Sequence, residues 1–270
     1  MRYTMKKLFT IFFIILSVNN LNSQIDIVHP PNWWIGFENQ ELQILVKGEK
    51  ISNYDVSIDY PGINLKQIHK ADSPNYLFID LNISNKTKPG TFKIKFKNEN
   101  GDLIHYYKLD NKRVLKKQNN GFDSSDVVYL ITPDRFANGD YSNDIVTGLK
   151  EDKINRDDNY ARHGGDLKGI TKNMEYINEM GFTALWLNPV LINDMKEGSY
   201  HGYATTDYYT IDPRFGTLSD YLDFSERAKK NNIKLIKDII VNHCGLYHWW
   251  MEDLPFNDWL NYQEIYLKSN

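Results

Sequence analysis

The chain has 270 residues, of which 41% are apolar, 14% aromatic and 25% charged, with a formal net charge of −3. This composition is typical of a folded protein, and the small negative charge disfavours nucleic acid, whose phosphates require a basic surface. Cys244 is the single cysteine, which excludes an internal disulfide and disfavours a thiolate metal site.

Residues 1–23 have the pattern of a secretory signal peptide. Arg2, Lys6 and Lys7 precede an apolar run over residues 8–18, and polar residues ending in Ser23 follow it. The run is too short to cross a bilayer comfortably. We therefore expect cleavage near Ser23 and export to the periplasm or the medium, with no membrane attachment afterwards. An uncleaved N-terminal anchor is the alternative.

Residues 24–116 have the pattern of short β-strands. The runs 76–83 and 91–97 alternate apolar and polar residues, and Gly101 marks a hairpin turn before a further run. Such alternation predicts strands with one face in a core and the other in solvent. We predict a small antiparallel β-sandwich of the immunoglobulin-like class. The adjacent Trp33 and Trp34 are either a sugar-stacking platform or packing residues at a domain edge.

Beyond a polar linker over residues 116–126, apolar strands alternate with helical segments. The runs 127–131, 184–187 and 235–241 are nearly continuous in apolar residues, which predicts strands covered on both faces. Between the first two, apolar residues recur at helical spacing after Asp166, a candidate cap, and the helix ends at Gly181. A second helix follows Thr217 or Ser219. The order β, α, β, α, β predicts an α/β fold with a parallel sheet.

The loop after the first strand concentrates oxygen ligands. Four Asn and Asp side chains lie within residues 138–144, and a second loop adds an acidic side chain and a glycine backbone: Asn138, Asp140, Asn143, Asp144, Gly164 and Asp166. This density suits Ca²⁺, which takes about six to eight oxygen ligands in flexible geometry, although the spacing is not that of an EF-hand. A solvated acidic turn is the alternative.

The loop after the second strand, residues 199–217, combines aromatic rings with imidazole and carboxylate groups. It contains His201, Tyr203, Asp207 and Asp212. A pyranose stacks its apolar face on an aromatic ring while its hydroxyls form directional hydrogen bonds, so this combination favours a sugar site. Helix caps and core tyrosines would explain only parts of the run.

The third strand closes with Asp238, Asn242 and His243. Their spacing places Asp238 and Asn242 on one face and His243 at the strand end. Because the carboxyl ends of parallel strands carry the sites of α/β folds, we expect these side chains to meet the two preceding loops. For a single His or Asn, a role in loop hydrogen bonding is the alternative.

Together these motifs resemble the α-amylase family of glycoside hydrolases, and most closely its neopullulanase, cyclomaltodextrinase and periplasmic maltodextrin-hydrolase branch. DIIVNH (238–243) is similar to the family's DxxxNH segment, and the 199–217 loop resembles the segment whose Tyr stacks on the sugar. The resemblance implies a (β/α)8 TIM barrel, with strands 1–3 only and the start of the insertion after strand 3 in residues 117–270. It also implies a cyclomaltodextrinase-like sandwich over residues 24–116.

The resemblance implies roles for individual residues. Tyr203 stacks on the sugar before the scissile bond, His243 hydrogen-bonds to that sugar, His201 is an outer contact, and Asp238 orders the site. Calcium is held by Asn138, Asp140, Asn143, Asp144, Gly164 and Asp166. Asn242 binds a second calcium in many α-amylases, an ion that this branch commonly lacks. The partner is an α-glucan oligosaccharide or polysaccharide, and sandwiches of this type often contribute to a homodimer of the full-length protein.

The implied reaction is hydrolysis of α-1,4 bonds in maltodextrin, cyclodextrin or pullulan with retention, which requires two carboxyl groups about 5–5.5 Å apart. In the family these groups follow the fourth and fifth strands, and no carboxylate here lies in a segment resembling those motifs. The resemblance therefore implies that the nucleophile and the acid/base lie beyond Asn270, and we expect an N-terminal fragment that is inactive by itself. The alternatives are a non-catalytic starch- or maltodextrin-binding protein, and a calcium-dependent adhesion or scaffold protein built on the sandwich.

Overall fold

The computed structural model describes residues 25–99, 101–112 and 121–261. The predicted signal peptide, residues 116–120 of the predicted linker and Asn270 lie outside these ranges. Among the helices of the described residues, none combines the length and hydropathy that a membrane crossing requires.

The first part of the described chain is a sandwich of two four-stranded sheets, ordered β1-β3-β6-β5 and β2-β8-β7-β4. Its strands are β1 (Ile25–His29), β2 (Asn32–Ile35), β3 (Glu41–Gly48), β4 (Asp55–Ile58), β5 (Ile63–Lys70), β6 (Tyr76–Ile83), β7 (Gly90–Asn98) and β8 (Gly101–Asn111). The pairings are antiparallel except for β2 with β8, which run parallel at a sheet edge. The predicted sandwich is confirmed.

The alternation of apolar and polar residues correctly predicts which side chains of β7 are buried, but not which side chains of β6 are. Phe92, Ile94 and Phe96 of β7 are buried while the residues between them are exposed, as predicted. In β6, four successive residues from Tyr76 to Ile79 are buried, so the prediction of a solvent-facing side was wrong there. The physical reason is that aromatic side chains from residues 249–256 cover the outer face of this strand.

The second part contains a parallel sheet ordered β13-β10-β9, with β9 (Val128–Ile131), β10 (Ala184–Leu187) and β13 (Lys234–Lys237). After β9 come α1 (Pro133–Phe136), α2 (Leu167–Lys172) and α3 (Met174–Glu179). After β10 come a hairpin of β11 (Leu191–Ile192) with β12 (Asp207–Ile211), and then α4 (Leu218–Lys230). The strands align without offset, since Ala184 is level with Val128 and Lys234, and their carboxyl ends form one edge.

Local capping explains where the helices begin. The Asp166 carboxylate accepts a hydrogen bond from the Gly169 N–H at 2.6 Å, and Thr217 forms a capping box with Asp220 at the start of α4. The predicted single helix before Gly181 is instead two short helices. It breaks at Asn173, whose backbone leaves helical geometry while its side chain donates to the Gly169 carbonyl at 2.8 Å.

The parallel strands are covered on one face only, contrary to the prediction. Ile131, Leu185 and Leu187 pack against the helices, whereas Leu130 and Trp186 on the opposite face are 54% and 41% exposed. The strand β13 also ends at Lys237 rather than at residue 241. The prediction that Asp238 and Asn242 share one strand face is therefore wrong, because the chain from residue 238 onward is irregular.

Candidate functional site

The polar loops that follow β9, β10 and β13 meet at the carboxyl edge of the parallel sheet. Four predicted site residues come together there, and we refer to them as the Tyr203 cluster: His201, Tyr203, Asp238 and His243. Tyr203 contacts each of the other three. The structure thus brings together residues that are up to 42 positions apart in the sequence.

Asp238 is a shared hydrogen-bond acceptor. Its Oδ2 atom accepts from the Tyr203 hydroxyl at 3.2 Å and from the Trp186 indole N–H at 3.1 Å. Burial raises the pKa of Tyr203, and the Asp238 charge adds to that effect, so the hydroxyl remains a donor. One carboxylate oxygen after β13 therefore holds two aromatic side chains, one in β10 and one in the loop between β11 and β12.

The His201 imidazole is held against Tyr203. The Tyr203 N–H donates to His201 Nδ1 at 2.9 Å, and the two rings are stacked with centroids 5.8 Å apart. Burial lowers the pKa of His201, although Glu151 opposes the shift, so the ring is neutral at neutral pH. Since Nδ1 accepts, the Nε2 atom carries the proton and is a donor.

His243 lies at the exposed side of the cluster. Its Nε2 atom lies 3.1 Å from the Tyr203 carbonyl and its Nδ1 atom 3.3 Å from the Asn242 amide nitrogen. The Tyr208 hydroxyl donates to the His243 carbonyl at 2.6 Å. The backbone of His243 is therefore anchored to β12. Its ring contacts the Tyr203 carbonyl at 3.1 Å and the Asn242 amide at 3.3 Å.

A buried network of charges supports the loop that carries Tyr203. Arg214 donates twice to the Asp212 carboxylate, at 2.9 and 2.7 Å, and both side chains are fully buried. Burial alone would raise the pKa of Asp212, but the Arg214 hydrogen bonds and charge outweigh it and hold that pKa low. Asp212 is thus a structural residue and does not join the sugar site that the sequence predicted for its loop.

Two further contacts link this network to the site. Arg214 donates to the Asn193 carbonyl at 2.9 Å, and the Asn193 amide donates to the Ser199 carbonyl at 3.2 Å. The buried Glu151 carboxylate accepts from the Ser199 N–H at 2.8 Å. Ser199 begins the short 3₁₀ turn that contains His201, so the buried charges fix the entry to the Tyr203 cluster.

The predicted oxygen ligands after β9 form a second group, the oxygen cluster: Asn138, Asn143, Asp144, Gly164 and Asp166. The Asn138 amide donates to Asp144 Oδ1 at 2.6 Å. A Cβ atom at Gly164 would lie 2.8 Å from that carboxylate and 2.9 Å from the Asn138 amide, so glycine permits this approach. The carbonyl oxygens of the Asn138 and Asn143 side chains are buried and accept no hydrogen bond from the described residues.

Charges of both signs surround this cluster. Burial raises the pKa of Asp144 and the nearby Asp166 carboxylate adds to the shift, while the Asn138 amide and the Arg156 and Arg162 charges oppose it. Asp166 also accepts from the backbone N–H groups of Gly139 and Asp140. The Asp140 side chain, by contrast, pairs with Lys168 at 2.8 Å and with Ser142, so both of its carboxylate oxygens already have partners. No group of three or more His, Cys, Asp or Glu side chains in the described ranges is placed to hold a metal, so amide oxygens would be needed.

Sequence reasoning missed Trp186 and Tyr208 as site residues. Trp186 lies in an apolar strand, where it is expected to be a core residue like its neighbours, and Tyr208 is one of two adjacent tyrosines. The signal that could have identified Trp186 is its indole N–H, a hydrogen-bond donor near the carboxyl end of a barrel strand. Among the described residues, the Asn242 side chain is within hydrogen-bond distance of the adjacent His243 ring.

The described residues do not test where the catalytic carboxylates lie, and the sugar-binding and ordering roles expected of the Tyr203 cluster likewise stay predictions. The description ends at residue 261, and Asn270 lies outside it. That the nucleophile and the acid/base lie beyond Asn270 therefore stays a prediction.

The chain matches two family models. Residues 27–113 match the model described as "Cyclomaltodextrinase, N-terminal", and residues 130–269 match "Alpha amylase, catalytic domain".

The chain is 33% identical over 191 residues to a cyclomaltodextrinase of Thermoanaerobacter pseudethanolicus, covering 68% of this chain and 32% of that protein. It is 40% identical over 119 residues to neopullulanase 2 of Thermoactinomyces vulgaris, covering 44% and 20%. It is 32% identical over 129 residues to the periplasmic α-amylase of Escherichia coli, covering 44% and 19%. The chain therefore spans about a third or less of the length of these relatives.

Proposed function

Since the chain belongs to the α-amylase family and carries an N-terminal domain of the cyclomaltodextrinase type, we propose that it supplies part of the sugar site of an α-glucan hydrolase. The enzyme would cleave α-1,4-glucosidic bonds of maltodextrin, cyclodextrin or pullulan with retention. The observation that carries the proposal is the Tyr203 cluster, in which Asp238 holds the Tyr203 hydroxyl, the His201 ring stacks on Tyr203 and the His243 ring lies at the Tyr203 carbonyl.

Each residue of the cluster has a proposed role. The Tyr203 ring stacks on the sugar before the scissile bond, and Asp238 orders the site by holding the Tyr203 hydroxyl. His201 donates from Nε2 to a hydroxyl as an outer contact. His243 binds the same sugar as Tyr203, and a sugar hydroxyl would replace its longer 3.3 Å contact with Asn242.

The bond-breaking carboxylates are proposed to come from family segments that these 270 residues do not match. Asp238 is the carboxylate of the cluster, and it is committed to two hydrogen-bond donors, which suits an ordering role rather than nucleophilic attack. The chain by itself is therefore proposed to bind α-glucan without hydrolysing it.

We also propose that the oxygen cluster binds calcium. Two buried amide oxygens without hydrogen bonds, next to two carboxylates in a space that only glycine leaves open, fit a hard cation with oxygen ligands. Asn138, Asn143, Asp144, Asp166 and the Gly164 backbone would hold the ion, while the Asp140 carboxylate fits less well because Lys168 pairs with it. Bound calcium would offset the two carboxylates and tie the loop after β9 to the start of α2.

Export is proposed from the pattern of residues 1–23, and the similarity to a protein named periplasmic α-amylase supports it. The domain boundaries at residues 23 and 116 and a homodimer of the full-length protein stay predictions.

The proposal is tested with the 270-residue chain and maltoheptaose, β-cyclodextrin and pullulan as probes. We expect binding by calorimetry that Tyr203→Ala and His243→Ala weaken, with no release of reducing ends. Release of reducing ends by the chain alone would contradict the proposed inactivity, and unchanged affinity in both variants would contradict the sugar site. A longer protein containing this chain should release α-anomeric products, as seen by NMR, if the reaction retains configuration.

A further inference from the structure

A cavity of about 440 Å³ lies where the beginning of the sandwich meets the β11–β12 hairpin. Its walls come from the β1–β2 corner and β2, from β3 and from β12, and they include Pro30, Trp33, Trp34, Glu41, Gln43 and Tyr209. The volume falls in the range of about 300–1,000 Å³ that is usual for small-ligand sites. None of the roles proposed above uses this cavity.

Two aromatic faces are open in the cavity. Trp33 packs against the sandwich core and lies 5.5 Å from the Phe37 ring, so it is a fixed wall. Trp34 is 5.9 Å from Trp33 and 39% exposed. Tyr209 is 50% exposed and is backed by the His29 ring at 4.2 Å. Rigid, exposed aromatic rings of this kind suit the flat apolar face of a sugar ring.

Polar side chains with unused hydrogen-bond donors or acceptors surround these rings. Among the described residues, none pairs with the Glu41 carboxylate or accepts from the Trp34 indole N–H. The Gln43 amide nitrogen donates to Asp80 at 2.8 Å, and its carbonyl oxygen accepts from none of the described residues. A carboxylate, a carbonyl and an indole N–H next to open aromatic faces match the alternating apolar faces and hydroxyl edges of a glucan chain.

The cavity is distinct from the Tyr203 cluster but close to it. Successive side chains of a strand point to opposite faces, so Tyr209 faces the cavity while the adjacent Tyr208 contacts the His243 carbonyl. The strand β12 thus lies between the cavity and the Tyr203 cluster.

We propose that this cavity is a second carbohydrate site, which holds a short segment of α-glucan beside the Tyr203 cluster. The identity of the ligand as α-glucan rests on the proposed function, whereas the existence of the site rests on the cavity itself.

Calorimetry of the 270-residue chain with maltotriose tests the proposal. The chain should bind two equivalents, and Trp34→Ala and Tyr203→Ala should each retain one. Binding at the cavity should weaken at least about tenfold in Trp34→Ala, as truncation of an aromatic anchor predicts. Tyr176→Ala is the control, because Tyr176 of α3 is an exposed aromatic residue outside both the cavity and the Tyr203 cluster, and it should retain both equivalents.

The outcomes separate the two proposals. If Tyr203→Ala abolishes all binding and Trp34→Ala matches the unaltered chain, the cavity proposal is overturned while the proposed function stands. If Trp34→Ala removes all binding and Tyr203→Ala removes none, the cavity is a carbohydrate site and the proposed role of Tyr203 fails. Equal losses of maltotriose binding in Trp34→Ala and Tyr176→Ala overturn the cavity proposal. A change of sedimentation in Trp34→Ala without an effect on maltotriose binding also overturns it, because it indicates a second copy of the chain as the occupant.

Discussion

Replacing Asp212 by Asn should destabilise the parallel-sheet part of the chain strongly. Asp212 and Arg214 are both fully buried, and the carboxylate accepts two hydrogen bonds from the guanidinium. Removing one partner of such a pair leaves a buried charge without compensation, which costs about 3–5 kcal/mol. The buried Arg162 increases the cost, because burial and then the Arg214 charge already lower the pKa of Arg162.

The measurement is urea unfolding followed by tryptophan fluorescence and near-ultraviolet circular dichroism. The control is Asp110→Asn in the sandwich, which removes the exposed Lys108–Asp110 pair and should cost at most about 1 kcal/mol. The double variant Asp212→Asn, Arg214→Met should recover part of the loss, because no charge is then left unpaired.

The same substitution should weaken sugar binding, since Arg214 holds the Asn193 carbonyl and Asn193 holds Ser199 at the entry to the Tyr203 cluster. A cost below about 1 kcal/mol for Asp212→Asn, or a double variant as unstable as the sum of the single ones, would refute the view that this pair is a coupled unit.

Three further predictions concern calcium binding, the contacts between the sandwich and residues 249–256, and the pH dependence of stability. Calcium chloride should raise the melting temperature of the chain and should not do so in Asn138→Ala; equal shifts in both would argue against the oxygen cluster as the site. Tyr76→Phe removes the hydrogen bond from the Tyr76 hydroxyl to the Asp253 carbonyl, so amide exchange at residues 249–256 should speed up while that of β7 stays constant. Burial lowers the pKa of His248 to about 4 and also lowers that of His29, from an ordinary value of 6.5. Because the unfolded chain takes up these protons first, the stability from the neutral rings is present above pH 6.5 and is lost as pH falls towards 4. His248→Gln should flatten this decline in urea titrations, and an unchanged slope would count against the assignment.

The sandwich and the chain after β13 are joined by specific contacts as well as by apolar packing. Asn75 and Tyr76 both donate to Asp253, and the Ser73 N–H donates to the Pro255 carbonyl. Phe78 stacks on Phe256 with centroids 5.7 Å apart. Since the joined segment follows His243 closely in the chain, the sandwich restrains one side of the candidate sugar site.

The buried Glu151 links the loops that carry the oxygen cluster and the Tyr203 cluster. Glu151 lies between the two loops, and its carboxylate accepts from the N–H groups of Arg162 and Ser199. Arg162 stands two residues before Gly164 of the oxygen cluster, and Ser199 begins the turn that contains His201. Binding of a cation at one cluster would therefore stabilise the backbone that carries the other.

The sequence by itself determined the features that depend on local chemistry. Alternation in β7 predicted its buried face, and the order of strands and helices predicted a parallel sheet. Asp166 predicted the start of α2, and of the two candidate caps for α4, Thr217 and Ser219, the cap is Thr217. The motifs also predicted which loops would meet, because the carboxyl ends of parallel strands share one edge.

Only the tertiary structure decided which side chains touch and which faces are covered. The alternating pattern of β6 gave no sign that Trp249 and Phe256, more than 150 residues away, would bury its outer face. Likewise, Trp186 and Tyr203 donate to one oxygen of Asp238 although neither is near it in sequence. Such contacts depend on the relative placement of whole strands and loops, which local propensity and periodicity do not encode.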